Sequence, residues 1–339
     1  MFYKGKQREI TELIAGMLDG YIETQKSMHE IDEIAEQSRM LAINAARELG
    51  RSEMAGGFQI ITQEIKNFSQ ANLRTNQENK ENVEHLNEEI SNMVGVRTAD
   101  VAFDLIDKID RNLFERHCDV QAWASMAVVV AFAKERKEEQ GRVAYQVLKK
   151  LYDIYEVYHD IVITDPDGVI LLNVAGPQGA GQDVSEKEWF QKAKEQEEVY
   201  VTDMHYSKAL KDFVVSYSCR IVDEKGTFCG VLTTHFNWNY ILDLIDETKI
   251  SKKGEVYLIN RTGEVIGARE RELIFHKNML LECQGAQTIL EGSADEDYGY
   301  ALEMNEQAQL TRVLGYAKTR GYNHYQGKEW AVLALENIR

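Results

Sequence analysis

The sequence predicts an α+β protein: an N-terminal antiparallel helical hairpin, then a long connecting helix, then two modules built on antiparallel sheets. Two observations indicate this order. Apolar residues keep helical spacing to about residue 151 with no proline to interrupt them, and the pattern then changes to short strands separated by turns. A chain of 339 residues has room for two or three cores. We place the domains at residues 1–100, 101–250 and 251–339.

The hairpin is predicted from two series of small, apolar or occasional polar residues in steps of three and four. The first series is Leu13, Met17, Tyr21, Thr24, Met28, Ile31, Ala35, Ser38, Ala42 and Ala45. The second series is Phe58, Ile61, Ile65, Phe68, Asn72, Thr75, Asn79, Val83, Leu86, Ile90 and Met93. Between them, Gly56 and Gly57 allow the positive φ of a tight turn. A lone helix pair cannot cover its seam, so we expect a homodimer whose hairpins form a four-helix bundle.

The stretch around the predicted turn, residues 34–69, reads IAEQSRMLAINAARELGRSEMAGGFQIITQEIKNFS. It resembles the hairpin tip of methyl-accepting chemotaxis proteins, and the matching residues stand in the family's order: Gln37, Leu41, Ala42, Asn44, Ala45, Ala46, Glu48, Arg51, Glu53, Gly57, Phe58 and Glu64. The resemblance implies a tip that packs receptors together and binds the kinase CheA and the coupling protein CheW. It places the signalling-tip contacts at Met40, Ile43, Asn44, Glu48 and Arg51.

The tip also departs from the family pattern, and these departures leave two functions open. Arg39 stands where the family has asparagine, Arg47 replaces a hydrophobic residue, and the arginine of the turn is lost or replaced by Gly56. Several of these positions carry the coupling-protein contact in the family. The first function is a sensor whose hairpin signals to a kinase complex in chemotaxis. The alternative is a non-signalling, ligand-binding scaffold that uses the hairpin only to dimerise or to dock on receptors.

The connecting helix and the two sheets follow along the chain. From Thr98 to about Leu151 the apolar spacing predicts one or two long helices. A capping box of Ser185 and Glu188 predicts the start of a helix that runs to about residue 195. Strands of the first module are predicted at 160–165, 169–173, 199–204, 213–222 and 229–236. Those of the second are predicted at 254–260, 264–267, 311–317 and 330–335.

The motifs of this second part are TDPDG, DVSEKEWFQKA, VVSYSCRIVDEKGTFCGVL, LINRTGEVI and LGYAKTRGYNHYQGKEWAV. Together they resemble a double Cache domain, a sensor fold with two PAS-like halves, over nearly all of residues 103–339. The resemblance implies a small-molecule pocket in the first half, between its sheet and the helix that carries Trp189. We expect ligand binding there to alter the helical hairpin.

The candidate ligand-binding residues in that pocket are Lys187, Trp189, Phe190, Asp203, His205, Tyr206, Tyr217 and His235. In amino-acid-binding members of the family, an Arg-x-Trp-Tyr stretch grips the carboxylate and a later aspartate grips the ammonium group. Here these positions are Lys187, Trp189, Phe190 and His235, so an amino acid is not favoured. Lys187 and His235 suit an anionic or carboxylate ligand better. Core packing is an equally good explanation of His235 and a better one of Trp189.

Charge and hydropathy exclude other partners. A net charge of −17 with no basic stripe repels nucleic acid. The longest apolar run, from Ala122 to Ala133, is interrupted by Ser125, whereas a membrane-spanning helix needs roughly 20 apolar residues. The first residues lack the apolar core of a signal peptide. We therefore expect a cytoplasmic protein with no membrane partner.

Catalytic and metal-binding patterns are missing from the sequence. It has no GxSxG, Walker, HExxH or CxxC motif. The four cysteines are far apart, which predicts reduced thiols, and the neighbours His117 and Cys118 are interpreted as packing residues. Asp165, Asp167 and Asp203 are assigned to turns and strand ends. We expect neither an enzyme nor a cofactor or metal.

Overall fold

Two very long helices open the chain. A computed structural model describes residues 3–49, 55–176, 179–251, 253–290, 297–305 and 310–338. In it, α1 spans Tyr3–Leu49 and α2 spans Ala55–Ala124. The predicted turn falls partly on residues 50–54, outside the described residues, and Gly56 and Gly57 lie in the first turn of α2. The second arm of the predicted hairpin and the start of the connecting helix are therefore one helix.

The remainder of the predicted connecting helix is broken into shorter pieces. After α2 come α3 (Ala127–Glu135) and α4 (Glu138–Tyr155), so the expectation of one or two helices up to residue 151 is wrong. The break after α3 is made by Arg136, which takes the left-handed conformation at φ 55° and donates its N–H to the Phe132 carbonyl. The apolar run at 122–133 is split by the earlier break at residues 125–126, between α2 and α3, and both parts pack into the core.

Helix α1 and the first half of α2 pack side by side and run in opposite directions. The Ser69 hydroxyl donates to the Ala35 carbonyl at 2.5 Å, and the Asn76 amide donates to the Met28 carbonyl at 2.7 Å. The side chains buried on α2 recur every seven residues, at Thr62, Ser69, Asn76, Val83 and Ile90.

Within the single chain the predicted seam is only partly buried, and several of its apolar members face solvent. Of the first series, Leu13, Met17 and Ile31 are exposed, whereas Met28, Ala35 and Ala42 are buried. The same is true of the second series, in which Ile61, Phe68, Leu86 and Met93 are exposed. The sequence prediction missed the buried positions of α2 that small and polar residues occupy. These residues pack by contacting the backbone of the neighbouring helix, so a search for apolar spacing does not find them.

The first sheet, with α5 (Glu188–Glu195) on one face, forms the first module. Its strands are β1 (Tyr158–Thr164), β2 (Ile170–Asn173), β3 (Tyr200–Val201), β4 (His205–Ser207), β5 (Asp212–Val222) and β6 (Phe228–Asn237). They lie in the order β2-β1-β6-β5-β3, with β4 also paired to β5, and all pairs are antiparallel. Strand β4 was not predicted. Helices α5 (Glu188–Glu195) and α6 (Asn239–Glu247) complete this part of the chain.

The second sheet, with the short helices α7 (Met279–Glu282) and α8 (Gln284–Leu290), forms the second module. Its strands are β7 (Glu255–Ile259), β8 (Val265–Ala268), β9 (Tyr298–Asn305), β10 (Leu310–Lys318) and β11 (Ala331–Ile338). Their order is β8-β7-β11-β10-β9, again antiparallel, and β9 was not predicted. The α+β class and the two antiparallel sheets are confirmed.

Helix α2 crosses both sheets and so connects them. Its residues Ala102, Leu105, Ile109 and Leu113 are buried in the main core, which contains side chains of both modules. At the second sheet, Gly315 of β10 lies against the α2 backbone at Thr98, where a Cβ atom would not fit. A movement of either sheet therefore acts on the same helix.

None of the helices within the described ranges is long and apolar enough to cross a membrane.

Candidate ligand-binding site

The face of the first sheet that lies beneath α5 is lined with polar side chains. Ser216, Ser218 and Thr233 are fully buried there. The Ser216 hydroxyl lies 2.9 Å from Nδ1 of His235, and the hydroxyls of Ser218 and Thr233 are 2.9 Å apart. Residues opposite each other on β5 and β6 alternate between the two faces of the sheet, so these four side chains share one face. Val162, Ile170 and Val231 of the same sheet pack with Trp189 and Phe190 in an apolar cluster, so the polar row occupies one part of the surface beneath α5.

Helix α5 covers this polar face with aromatic rings. Trp189 and Phe190 are buried, and the Trp189 ring stands edge-on to the His235 ring with centroids 5.9 Å apart. Burial, reinforced by the nearby His205 and His159, lowers the pKa of His235 to about 4. His235 is therefore neutral at pH 7 and does not supply the positive charge that we expected for an anionic ligand.

The predicted capping box of α5 is wrong. The helix begins at Glu188 with Lys187 as its N-cap, and no side chain caps it. The backbone N–H of Ser185 instead donates to the Asp183 carboxylate at 2.8 Å, which holds the pKa of Asp183 below its usual value. The N-cap of α5 is two residues further along the chain than predicted, because the backbone N–H of Ser185, which Glu188 would bind in a capping box, is taken by Asp183. Glu188 thereby points into the cleft described next.

A cleft of about 500 Å³ lies beside the polar face, between the two modules. The first module contributes Glu188, Tyr200, Thr202, Asp203 and His205, and the second contributes Arg261, Gly327, Lys328 and Glu329. The Thr202 hydroxyl accepts the backbone N–H of Ser216 at 2.9 Å. Since Ser216 also contacts His235, Thr202 connects the wall of the cleft to the polar face behind it.

The structure brings only some of the predicted ligand residues together. Asp203 and His205 line the cleft, while Trp189, Phe190 and His235 lie at the adjoining polar face. Lys187 and Tyr206 are exposed and do not line the cleft.

Tyr217, predicted to line the ligand pocket, lies elsewhere in the structure. It lies on the opposite face of the first sheet, in the core with α2, where its hydroxyl has no hydrogen-bond partner in the described part of the chain. Burial raises its pKa well above the usual value. The alternation of side chains along β5 excludes it from the α5 side, because Ser216 and Ser218 already face that way.

The second-module residues of the cleft were missed in the sequence. Arg261 lies at the tip of the turn between β7 and β8, and Lys328 lies in the loop before β11. Each stands in a turn-like segment of mixed charge, which is typical of an exposed surface. Only the packing of the second module against β3 and β4 gives them a common position. The sequence points to them only in that each lies in a Cache-like motif: Arg261 in LINRTGEVI and Lys328 in LGYAKTRGYNHYQGKEWAV.

The aspartates assigned to turns behave as expected where the structure shows their contacts. Asp165 accepts the N–H groups of Asp167 and Val169 at 2.9 Å. Asp203, in contrast, accepts the indole N–H of the buried Trp330 at 3.0 Å and so joins the modules.

The cysteines and histidines form no obvious reactive or metal centre. All four cysteines are free, and burial raises the pKa of Cys219 and of Cys283 to about 11. His117 is buried with its ring 5.6 Å from that of His324, and burial lowers its pKa. Among the described residues, no group of three or more His, Cys, Asp or Glu side chains is arranged to hold a metal ion.

With the fold and the site described, the sequence can be compared with known protein families. The family model described as a Cache domain matches residues 59–334, most of the chain. The chain belongs to the Cache domain family. The match begins inside α2, well before residue 103, where our Cache resemblance starts. No curated protein sequence matches this Cache protein.

Solved structures similar to this Cache protein are sensory domains. The ligand-binding domain of the Campylobacter jejuni chemoreceptor Tlp3, in complex with 4-methylisoleucine, is 16% identical, with a TM-score of 0.54 over 71% of this chain and 89% of that one. The extracellular domain of rpHK1S-Z16, described as a histidine kinase, is 18% identical, with a TM-score of 0.54 over 71% and 93%. An extracellular ligand-binding receptor from Desulfohalobium retbaense is 15% identical, with a TM-score of 0.52 over 70% and 40%. At these identities the likeness shows the fold, which is that of ligand-binding sensor domains.

Proposed function

We propose that this Cache protein is a small-molecule sensor in signal transduction, which binds its ligand at the first module and relays occupancy through α2. The observation that carries the proposal is the row of three buried hydroxyls and the imidazole of His235 beneath Trp189, with the cleft beside it. Pairing within the row offsets the free-energy cost of burying these polar groups and holds them in place. A ligand pocket needs a few placed polar groups of this kind among aromatic side chains.

The relay rests on the position of α2. A ligand signals only if it binds two arrangements of the protein with different affinity. Helix α2 packs on both sheets and continues without a break into the region paired with α1, so a shift of the sheets displaces that pair. This supports the expectation that ligand binding alters the helical pair.

The test of ligand binding is a panel of small carboxylates, amines, amino acids, sugars and nucleobases, measured by thermal shift and calorimetry. We expect at least one class to raise Tm, because a ligand that binds only the folded state stabilises it. The shift should shrink in Ser216→Ala and Thr233→Val and persist in Ser125→Ala, whose serine is exposed on the surface. No shift with any class would contradict the proposal.

We further propose that α1 and α2 associate with a second copy of the chain as a four-helix bundle. The support is an apolar surface left open on both helices, with Phe68 67% exposed; its other members include Leu13, Ile34, Leu41, Ile60, Ile61 and Leu86. Single exposed apolar residues are ordinary, but so many along one helix pair are typical of an interface. Sedimentation should give a dimer for the wild type and for Lys66→Glu, and a monomer for Phe68→Glu. A monomeric wild type would refute the bundle.

The output of the helix pair is proposed from the chemoreceptor-like tip. Met40, Ile43, Asn44 and Glu48 are exposed and accessible to a partner, whereas Arg51 lies outside the described residues. Our first choice is a cytoplasmic chemotaxis sensor that engages CheA and CheW. The scaffold alternative is supported by Arg39, which is held in an ion pair with Glu36 along α1.

A pull-down with purified CheA and CheW separates the two functions. Capture that is lost in Glu48→Ala and kept in Glu78→Ala, an exposed residue of α2, supports kinase coupling. A ligand-binding protein that captures neither supports the scaffold. The cytoplasmic location is tested separately by fractionating cells that express the tagged full chain.

A further inference from the structure

We propose that the second module supplies the groups that recognise the ligand: Lys328 and Arg261 bind a carboxylate in the cleft and clamp the two modules together. The inference rests on the proposed sensing function and gives it a ligand class, a small carboxylate, and a direction for its relay.

Lys328 is a half-buried ammonium group with too few partners. Its Nζ donates one hydrogen bond, 2.9 Å long, to the carbonyl of Val201, and an ammonium group has three protons to donate. No carboxylate lies within ion-pair distance of it among the described residues. Burial lowers the pKa of Lys328, while the carboxylates of Asp203, Glu188 and Glu329 act in the opposite direction from beyond ion-pair distance. An anion bound directly at Nζ would make the ion pair that these carboxylates do not make.

Arg261 is the second cation of the cleft, and it too has no ion-pair partner in the described part of the chain. Its turn is held rigid, because the Asn260 side chain accepts the N–H groups of Thr262 and Glu264, each at 3.0 Å. The charge of Arg261 contributes to lowering the pKa of Lys328, so the two cations are close enough to repel each other. A carboxylate bound between them converts this repulsion into two attractions, and a guanidinium group is well shaped for a carboxylate.

Two of the three carboxylates that line the same cleft accept hydrogen bonds from neighbouring side chains. Glu188 accepts the hydroxyl of Tyr200, and Asp203 accepts the indole N–H of Trp330. Glu329 also lines the cleft but is exposed to solvent, which screens its charge. Among the described residues, none of these carboxylates comes within ion-pair distance of Lys328 or Arg261, which leaves both cations open to an anionic ligand. The proposed anion site therefore differs from the one predicted at Lys187 and His235, because its cations come from the second module.

The position of Lys328 links this contact to α2. Gly327, next to it, takes a φ of 75° and packs against Thr319, so the loop is folded tightly on itself. Asp110 of α2 accepts hydrogen bonds from Thr319 and from the N–H groups of Arg320 and Gly321 at the start of the same loop. A ligand that pulls Lys328 toward the first module thus pulls on a loop attached to the signalling helix.

The experiment is calorimetric titration of the full chain with acetate, lactate, succinate, malate and citrate, each beside its neutral amide. We expect at least one carboxylate to bind and its amide not to. Lys328→Met and Arg261→Gln should each weaken binding about tenfold or more, with Lys187→Met unchanged. Hydrogen exchange should slow at residues 319–329 as well as at 200–205 when the carboxylate is added.

Three outcomes would overturn the inference. They are carboxylate binding that survives in both cation variants, protection confined to residues 200–205, and a wild type that binds no carboxylate. If a ligand of another class binds and depends on Ser216, the sensing function stands and only this inference fails. Circular dichroism of each variant confirms that the fold is kept.

Discussion

The carboxylate of Asp110 accepts a hydrogen bond of 2.9 Å from the backbone N–H of Gly321, which joins the C-terminal part of α2 to the loop that borders the cleft. Asp110 is buried, and burial raises the pKa of its carboxyl group while the hydrogen bonds from Thr319, Arg320 and Gly321 act in the opposite direction. A buried acid with three donors from one loop fixes that loop on the helix. A displacement of this loop at the cleft would therefore act directly on α2.

Removing that carboxylate should loosen the loop. Asp110→Ala leaves two backbone N–H groups and the Thr319 hydroxyl without their acceptor, and we expect a loss of about 2–4 kcal/mol in the free energy of unfolding. Asp107→Ala, one turn earlier on α2, removes an exposed pair with Arg111 and should cost less than about 1 kcal/mol. Urea denaturation measures both variants. Equal stability of the two would show that the loop is not anchored there.

The neutral state of His235 should make stability depend on pH. Its pKa is about 4 in the folded protein and about 6.5 when unfolded, so the unfolded chain binds the proton more readily. The stability from this residue is present above pH 6.5 and is lost as pH falls from 6.5 to 4, by up to about 3 kcal/mol.

The measurement is the difference in Tm between wild type and His235→Asn across that pH range. The difference should change most between pH 6.5 and 4, and the same substitution at the exposed His85 is the surface control. A flat His235→Asn difference would mean that the imidazole is not buried in neutral form.

The contact of Gly315 with α2 should not tolerate a side chain. A Cβ atom at Gly315 would overlap the backbone of Thr98 and Ala99, which cannot yield without moving the helix off the second sheet. We expect Gly315→Ala to lower the free energy of unfolding by about 2 kcal/mol or more. Gly176→Ala, where a Cβ atom meets nothing within 4 Å, is the matched control. Calorimetric Tm values that agree for the two variants would contradict the close approach.

The ion pair of Arg97 on α2 with Glu336 on β11 should be costly to break on one side. The side chains are 17% and 9% exposed, and Glu336 also accepts the N–H of Ser251 at 3.0 Å. Arg97→Met leaves a nearly buried carboxylate uncompensated and should cost about 2–4 kcal/mol.

A second substitution tests the cause. Adding Glu336→Gln removes the charge and keeps an acceptor for Ser251, so the double variant should recover at least half of the loss. Lys149→Met breaks a surface pair with Asp153 on α4 and should change stability by less than about 1 kcal/mol. No recovery in the double variant would mean that Arg97 acts by packing and not by charge.

The sequence by itself determined the period of each segment. It placed the helices first and the antiparallel strands after them, and the DPDG and DEKG turns marked hairpins that the structure contains. It also carried the Cache motifs, because these are local patterns of strand, turn and aromatic helix. Local periodicity depends on neighbours in the chain, so it can be read without knowing the fold.

Only the tertiary structure decided which side chains meet. Tyr217 packs with α2 and Ser216 lies beneath α5, since the register along β5 decides which face each side chain takes. Between α1 and α2, the buried contacts are made by Ser69 and Asn76, whereas Phe68 is exposed. The tertiary structure also brought Lys328 and Arg261, 67 positions apart in the chain, to the cleft beside Asp203. A site formed between modules depends on how two cores pack together, and no local pattern records that packing.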